Sequence, residues 1–283
     1  MRALSLFSGI GGIDLACEWA GIETVAFCER EPFPQKVLRK HWPNVPIYDD
    51  VCTLTKERLE TDGIIGSGRT IDIIHGGYPC QPFSVAGERK GTEDDRHLWP
   101  EVFRLIQALH PKWFVGENVA GHITLGLDIV LSDLESAGYA AESFVIPACA
   151  VGARHRRDRV FIVAHSYGSR GRYEKRHTGG SHAEDVPNAN SITRLETYKT
   201  ISAIGRGWEP RHYVGRRDWA EASKFDRPSP EPAIQRVVDG ISGELDEIIS
   251  RLKALGNAVV PRQIYPILSA IKQIDDMLKE EAN

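Results

Sequence analysis

One cysteine of the sequence lies shortly after a predicted strand. Cys80 lies in the segment His75–Gly87, HGGYPCQPFSVAG, after the apolar run Ile71–Ile74. Such a run, bounded by glycines, indicates a buried strand, and side chains at the carboxyl end of a central strand line the ligand site of open α/β folds. A nearby helix start or cation lowers the pKa of a thiol. Cys80 is therefore a candidate nucleophile, and a buried structural cysteine is the alternative.

A carboxylate and an amide follow another apolar run. Trp113–Val115 is succeeded by Gly116, and Glu117 and Asn118 come next. We expect both side chains to emerge beyond the end of this strand. Burial beside an apolar strand end raises the pKa of a carboxyl group, which suits it to protonate or hydrogen-bond a substrate nitrogen. An N-cap or an ion pair is the structural alternative for Glu117.

The third feature is a glycine-rich loop with an acidic residue downstream. The sequence FSGIGG, Phe7–Gly12, follows an apolar run and precedes a helical pattern. Its glycines allow a ligand to approach backbone N–H groups at the helix start. Glu29 lies 20 residues after Gly9, where nucleotide sites place the acidic residue that binds ribose hydroxyls. Asp14 replaces the third glycine of the dinucleotide fingerprint, which argues against a nicotinamide dinucleotide.

Two further segments carry polar residues near element boundaries. The stretch ARHRRDRVFIVA has four arginines between positions 154 and 159, just before a strand. Arginines this dense suit bidentate binding of phosphate or of a carbonyl oxygen, and a solvated basic patch is the alternative. The stretch LKALGNAVVP places Gly256 and Asn257 in a predicted turn before the C-terminal helix.

Composition is that of an ordinary globular protein with an uneven charge distribution. Of 283 residues, 41% are hydrophobic and 26% charged, and no apolar run is long enough to cross a bilayer. The five cysteines show no C-x-x-C spacing, so we expect a cytoplasmic protein without a metal site. Residues 151–227 hold 16 Lys and Arg against 9 Asp and Glu, although the whole chain has a net charge of -4. This bias favours contact with a polyanion on one side, and a solvated basic loop is the alternative.

Alternating strands and helices must position these motifs. The predicted strands are Ala3–Phe7, Thr24–Cys28, Ile71–Ile74 and Trp113–Val115, with Ala141–Pro147 and Val160–Ala164 as an antiparallel pair. The predicted helices are Ile13–Ala20, Pro34–His41, Leu98–Leu109 and a C-terminal helix with Ile264, Ile267, Leu268 and Ile271 on one face. The alternation predicts an α/β fold, a mostly parallel sheet with helices on both faces. We divide the chain into 1–164, a loop-rich lobe 165–230 without apolar periodicity, and a return segment 231–283 that packs on the first part.

In this order, the motifs resemble the cytosine-5 DNA methyltransferase family. Within residues 4–164 and 232–261 the chain has, in the family's order, FSGIGG, Glu29, DDV, PCQPFS, RHLW, ENV, RHRRDR and GNAVVP. His155 stands where the family often has Gln. The resemblance implies a Rossmann-like fold that binds S-adenosylmethionine, with residues 165–230 as a small target-recognition lobe.

The resemblance also implies which residues bind the methyl donor. Glu29 holds the ribose hydroxyls and Asp50 the adenine amino group, with Val51 beside the ring. The full implied set is Phe7, Ser8, Gly9, Ile10, Gly11, Gly12, Glu29, Asp50, Val51, Pro79, Leu98, Asn257 and Ala258.

For the reaction, the resemblance implies that Cys80 adds to C6 of a cytosine flipped out of double-stranded DNA while Glu117 engages N3. Arg157 and Arg159 bind the base carbonyl, the phosphates or the loop that closes on the site. The residues implied to contact substrate are Gln81, Ser84, Asn118 and Arg157. We expect a monomer encoded by a bacterium or phage; the sequence leaves open whether a cognate restriction endonuclease accompanies it.

Two other functions fit part of this pattern. The tRNA-directed relatives share PCQ and ENV, but they usually carry a Cys-Phe-Thr signature after the latter, where this chain reads ENVAGHITLG. A catalytically silent DNA-binding homologue is disfavoured because Cys80, Glu117 and Arg157 are all present. Methylation of cytosine in duplex DNA is therefore the favoured hypothesis.

Replacing the candidate nucleophile tests this hypothesis. We expect Cys80→Ala to abolish methyl transfer and to leave the fold intact, because the substitution removes only the thiol. The measurement is transfer of label from radioactive S-adenosylmethionine to DNA. Residual transfer near the wild-type level would remove Cys80 from the mechanism.

Overall fold

Apolar strands and amphipathic helices alternate along the chain, and the computed structural model shows how they assemble. It describes residues 1–79, 98–166 and 242–280, the last range with side chains from residue 248 onward. The strands are β1 (Arg2–Leu6), β2 (Glu23–Cys28), β3 (Ile47–Tyr48), β4 (Ile73–Gly76), β5 (Trp113–Val119), β6 (Tyr139–Pro147) and β7 (Asp158–Ser166). The helices are α1 (Gly12–Trp19), α2 (Pro32–His41), α3 (Lys56–Thr61), α4 (Trp99–Leu109), α5 (Leu127–Ser136), α6 (Ser242–Asn257) and α7 (Pro261–Glu280).

All of these strands join one sheet with the order β3-β2-β1-β4-β5-β7-β6. The first five strands in this order are parallel, and β7 runs antiparallel to both β5 and β6. The α/β class, the mostly parallel sheet and the antiparallel β6–β7 pair are thus confirmed. The strand order reverses between β1 and β4, and ligands of open α/β sheets bind beyond the carboxyl ends of strands at such a point.

Side-chain alternation along the strands divides the core into two layers. Leu4, Leu6 and Ile74 face one side, where α4 and α5 cover the sheet. Ala3 and Ile73 face the other side, where α1 and α7 pack. The predicted apolar face of the C-terminal helix is buried in this second layer, and α7 contacts α1 directly. Helices therefore cover both faces of the sheet, as the sequence predicts.

Strand β5 is longer than its apolar run suggests. Its pairing with β4 ends at Gly116, but β7 continues alongside it from Glu117 to Val119. The expectation that Glu117 and Asn118 emerge beyond the end of the strand is therefore wrong. Both lie inside β5, because an antiparallel neighbour distant in sequence extends it past the parallel part of the sheet.

Smaller elements also differ from the expectations. The predicted turn at Gly256 and Asn257 is the last part of α6. Helix α3 is too short for apolar periodicity to reveal it, and its N-cap is Thr55, whose hydroxyl accepts a hydrogen bond from the Arg58 N–H. Within the described ranges, no helix is both long and apolar enough to span a membrane.

Gly76 marks a close approach between β4 and β1 that should tolerate no side chain. A Cβ atom there would lie 2.1 Å from the carbonyl oxygen of Leu6. We expect Gly76→Ala to lower the free energy of unfolding by about 1–3 kcal/mol, because paired backbone cannot easily move aside. Gly121→Ala is the matched control, since a Cβ there meets nothing within 4 Å. Equal midpoints for the two variants in denaturant unfolding would contradict this constraint.

Candidate active site

A cleft of about 1400 Å³ opens at the carboxyl edge of the sheet. Most of the residues proposed for the methyl donor line it, namely Phe7, Ser8, Gly9, Ile10, Gly12, Glu29, Asp50, Val51, Pro79, Leu98, Asn257 and Ala258. Glu117, Asn118 and Arg159 line the same cleft. One cavity thus brings residues proposed for the cofactor together with Glu117 and Arg159, two of the four residues proposed for catalysis.

Some of the proposed site residues lie elsewhere. Gly11 and Arg157 line a neighbouring groove together with Trp42 and His155. Cys80, Gln81 and Ser84 fall outside the described residues. In the described ranges, no cluster of three or more His, Cys, Asp or Glu side chains is arranged to hold a metal ion.

The glycine-rich loop leaves β1 with unusual backbone angles. Phe7, Gly9 and Gly11 have φ values of 50°, 56° and 82°. Glycine adopts this left-handed region at little cost, whereas Phe7 is strained there, as residues at functional sites often are. Gly11 is the N-cap of α1, and a Cβ on it would lie 2.5 Å from the Trp42 ring. The loop therefore brings backbone N–H groups to the positive end of α1, beside the cleft.

Glu29 joins the end of β2 to this loop. Its Oε2 accepts a hydrogen bond from the Gly9 N–H at 2.7 Å, and its Oε1 accepts one from the Glu31 N–H at 2.7 Å. The side chain is buried at the cleft wall. A carboxylate has about four acceptor positions, so a carboxylate fixed by two backbone bonds can still accept from ligand hydroxyls.

Arg104 of α4 holds the segment after β3 in place. Its Nη2 donates to the carbonyl oxygens of Val51 at 3.0 Å and Leu54 at 2.9 Å, and its Nε donates to Glu101 at 2.7 Å. These bonds fix the backbone next to Asp50 at the cleft wall. Sequence reasoning missed Arg104, although its spacing of three residues from Glu101 on one helix is a recognisable signal.

Asn118 of strand β5 contacts the segment that follows β4. Asn118 Nδ2 donates to the carbonyl oxygen of Tyr78 at 3.1 Å. The Tyr78 hydroxyl lies 2.8 Å from Nε2 of His122, and both side chains are buried. Asn118 therefore has a structural contact in addition to any contact with substrate, and Tyr78 is a site residue that the sequence did not indicate.

Gly77 lets this chain pass the carboxyl group of Glu117. A Cβ on Gly77 would lie 2.8 Å from Glu117 Oε2. Pro79, the last residue described before Cys80, lines the same cleft as Glu117. The described chain thus passes the Glu117 carboxyl group and continues to Pro79 in the same cleft.

Glu117 and Arg159 form a nearly buried ion pair across β5 and β7. Arg159 Nε lies 2.7 Å from Glu117 Oε1, with side-chain exposures of 15% and 9%. Burial raises the pKa of Glu117, and the charges of Arg159 and Arg157 oppose the shift without cancelling it. Glu117 therefore keeps its proton to a higher pH than an exposed glutamate, which suits it to give a hydrogen bond to a substrate nitrogen.

Arg157 is engaged with the return segment. Its Nη2 donates to the carbonyl oxygens of Gly256 at 2.6 Å and Ala258 at 2.8 Å, and its own φ is 34°. Buried Gln263 donates to the carbonyl oxygens of Arg157 and Ile146. In this structure Arg157 thus positions the GNAVVP segment at the rim of the cleft, and its contact with substrate stays a prediction.

Comparisons with known proteins agree with this arrangement. A family model described as C-5 cytosine-specific DNA methylase matches residues 1–229. Type II methyltransferase M.AquIA of Picosynechococcus sp. is 31% identical over 71% of this chain and 86% of its own length. Type II methyltransferase M.HgiBI of Herpetosiphon aurantiacus is 35% identical over 57% of this chain and 36% of its own length.

A solved structure supports the fold. The crystal structure of a prophage-encoded DNA modification methyltransferase of Escherichia coli has a TM-score of 0.51 and 27% identity, and the match covers 59% of this chain and 47% of that one. The present chain spans between 36% and 52% of the length of four curated relatives that it matches.

The buried ion pair predicts a pH-dependent loss of stability when its cation is removed. In Arg159→Gln the pKa of Glu117 rises further, because only Arg157 still opposes the effect of burial. The folded variant then holds a proton that the unfolded chain releases above pH 4.5, so its stability falls as the pH rises through the folded-state pKa. We expect a loss of about 3 kcal/mol at pH 8 and a smaller loss at pH 5.

Thermal unfolding of wild type and variant at the two pH values measures this difference. The double variant Glu117→Gln/Arg159→Gln lacks the titrating carboxyl group, so its deficit relative to wild type should not grow between pH 5 and pH 8. A pH-independent deficit in Arg159→Gln would show that the Arg159 guanidinium does not influence the pKa of Glu117.

Proposed function

Because the chain belongs to the C-5 cytosine-specific DNA methylase family, we propose that it transfers a methyl group from S-adenosylmethionine to C5 of cytosine in double-stranded DNA. The observation that carries this proposal is the cleft itself, which has the glycine-rich loop and Glu29 on one wall and Glu117 and Arg159 on another. A methyl donor and a cytosine bound to these two walls are held together, and such orientation supplies much of the acceleration of a transfer between two reactants.

The wall formed by the glycine-rich loop Phe7–Gly12 and Glu29, here called the donor wall, has groups that suit S-adenosylmethionine. The N–H groups at the start of α1 suit a carboxylate, and the Glu29 carboxylate suits the ribose hydroxyls. Phe7, Val51 and Leu98 offer apolar surface to a purine ring. When bound, S-adenosylmethionine supplies an electrophilic methyl group on a sulfonium sulfur.

On the substrate side, we propose that the thiolate of Cys80 forms a bond to C6 of the cytosine. The electron pair of the C5–C6 double bond then makes C5 nucleophilic, and Glu117 hydrogen-bonds or protonates N3 so that the ring accepts this charge. Arg159 orients Glu117. C5 takes the methyl group, whose bonding electrons stay on the donor sulfur, and its proton then passes to solvent water. The electrons of the broken C5–H bond reform the double bond and expel Cys80 as the thiolate, and any proton gained at N3 returns to Glu117.

The base must leave the stacked duplex to reach this cleft, which costs a few kcal/mol. We propose that residues 165–230 form the target recognition region between 1–164 and the return segment 231–283. Support comes from the basic bias of residues 151–227 and from the packing of α7 on α1. Double-stranded DNA, the polyanion that this bias favours, is the proposed partner.

Glu117→Gln separates the chemical role of this carboxyl group from donor binding. We expect methyl transfer to slow by roughly 10²–10⁴-fold and the affinity for S-adenosylmethionine in calorimetric titration to stay near wild type. Glu142→Gln, which changes an exposed carboxylate of β6, is the matched control and should keep the wild-type rate. Loss of donor binding in Glu117→Gln would show that Glu117 belongs to the donor wall.

Bisulfite sequencing of plasmid DNA from cells that express the protein tests the proposed activity and its substrate together. We expect cytosines in one defined sequence to resist conversion, and those in a plasmid without the gene to be converted. A parallel assay measures transfer of labelled methyl groups to tRNA. If the plasmid DNA is unmodified and the tRNA becomes labelled, the proposal of a DNA substrate is wrong and the substrate is RNA.

A further inference from the structure

Asp14 is a buried carboxyl group that the proposed reaction does not use. It lies in the first turn of α1, directly after the glycine-rich loop, and is fully buried. Burial of an unpartnered carboxyl group is unfavourable, so such a residue persists where its neighbours satisfy it. Those neighbours indicate what Asp14 does.

The neighbours of Asp14 lie on three adjacent strands. Its Oδ2 accepts a hydrogen bond from Ser5 Oγ on β1 at 3.1 Å, and its Oδ1 accepts one from Thr24 Oγ1 on β2 at 3.0 Å. His75 on β4, the register neighbour of Ser5, places Nε2 3.5 Å from Oδ1. This last contact is not an ion pair, because burial lowers the pKa of His75 to about 3 and leaves the ring neutral.

Ser5 continues this cluster into the glycine-rich loop. Ser5 Oγ lies 2.9 Å from Ser8 Oγ, and the Ser8 hydroxyl also lies within 3.2 Å of the Ser5 carbonyl oxygen and 3.4 Å of that of Cys28. Ser8 lines the cleft. The three side chains Asp14, Ser5 and Ser8 thus form a continuous polar path from the core to the donor wall.

Thr24 also donates a hydrogen bond to Asp14, but it is not part of the polar path from Asp14 through Ser5 to Ser8. It is the second residue of β2 and lies four residues before the carboxyl end of that strand, whereas the loop begins at the carboxyl end of β1. The cluster therefore contains two hydroxyl donors to one carboxyl group, of which Ser5 connects to the loop.

We propose that Asp14 is a positioning residue of the methyl-donor site, which holds the Ser5 hydroxyl and through it fixes Ser8 and the backbone of the loop Phe7–Gly12. The inference rests on the proposed function, because it takes this loop to bind the donor. It also explains why an acidic residue follows the loop where a dinucleotide fingerprint has glycine.

Proton counting supports this assignment in both charge states of Asp14. Burial raises the pKa of Asp14 to about 7, assisted by the nearby charge of Glu18. Ionised Asp14 accepts the one proton of the Ser5 hydroxyl, which can then accept the proton of Ser8. Protonated Asp14 can donate to Ser5, which then donates to Ser8. In either state the three oxygens stay linked.

Ser5→Ala and Thr24→Val form a matched pair for testing this role. Each removes one hydroxyl donor to Asp14, but only the first interrupts the path to Ser8. We expect Ser5→Ala to weaken the binding of S-adenosylmethionine by at least about 5-fold in calorimetric titration, and Thr24→Val to stay within about 2-fold. In steady-state assays Ser5→Ala should raise KM for the donor and leave kcat at saturation unchanged.

Variants at position 14 complete the test. Asp14→Asn can still accept from Thr24 and donate to Ser5, so it should retain donor affinity, whereas Asp14→Ala should lose as much affinity as Ser5→Ala. The double variant Asp14→Ala/Ser5→Ala should lose no more than either alone, because both act through one path. Circular dichroism melting of each variant establishes that the folded chain is being titrated.

Two results would overturn the proposal: Thr24→Val losing as much donor affinity as Ser5→Ala, or additive losses in the double variant. A wild-type chain that binds S-adenosylmethionine but methylates no nucleic acid would overturn the proposed function and leave this inference standing. A wild-type chain that does not bind the donor would overturn both.

Discussion

The end of β4 is the constraint on which the site depends. Two consecutive glycines there pass between the strands on either side, and a Cβ atom would lie 2.1 Å from a neighbouring atom at Gly76 and 2.8 Å from one at Gly77. Gly76 meets the carbonyl oxygen of Leu6, the residue before the loop, and Gly77 meets the carboxyl group of Glu117. The end of β4 is therefore held between the residue that precedes the glycine-rich loop and the carboxyl group of Glu117, so these two parts of the proposed site lie on the strands that flank β4.

Burial affects two carboxyl groups of this site, one that faces the cleft and one that lies behind the glycine-rich loop. At Glu117 it raises the pKa of a group that faces the cleft, while Arg159 limits the shift and fixes the side chain. At Asp14, behind the loop, the buried carboxyl group accepts hydrogen bonds from the hydroxyl groups of Ser5 and Thr24. The same physical effect thus prepares one carboxyl group to interact with substrate and makes the other part of the framework that shapes the donor site.

The sequence predicted most of this fold, because apolar periodicity and glycine-rich turns are local signals. Most of the site residues that it singled out line the cleft, since motifs at the ends of parallel strands converge at one edge of a sheet. It could not predict that β5 extends past β4, because that extension depends on β7. Nor could it reveal the bonds from Arg157 to the return segment, about 100 residues away in the chain, or the cluster around Asp14, whose members come from three strands.

The proposed reaction depends on a transient bond between the sulfur of Cys80 and C6 of an extruded cytosine. Duplex DNA with 5-fluorocytosine at the methylated position, incubated with the full chain and S-adenosylmethionine, tests it directly, because fluorine cannot leave C5 as a proton does. We predict a covalent complex that survives denaturing electrophoresis, maps by peptide mass to the segment around Cys80, and persists in a variant lacking the exposed thiol of Cys149. Failure to form that complex, by a preparation that methylates the same sequence containing ordinary cytosine, would contradict the account.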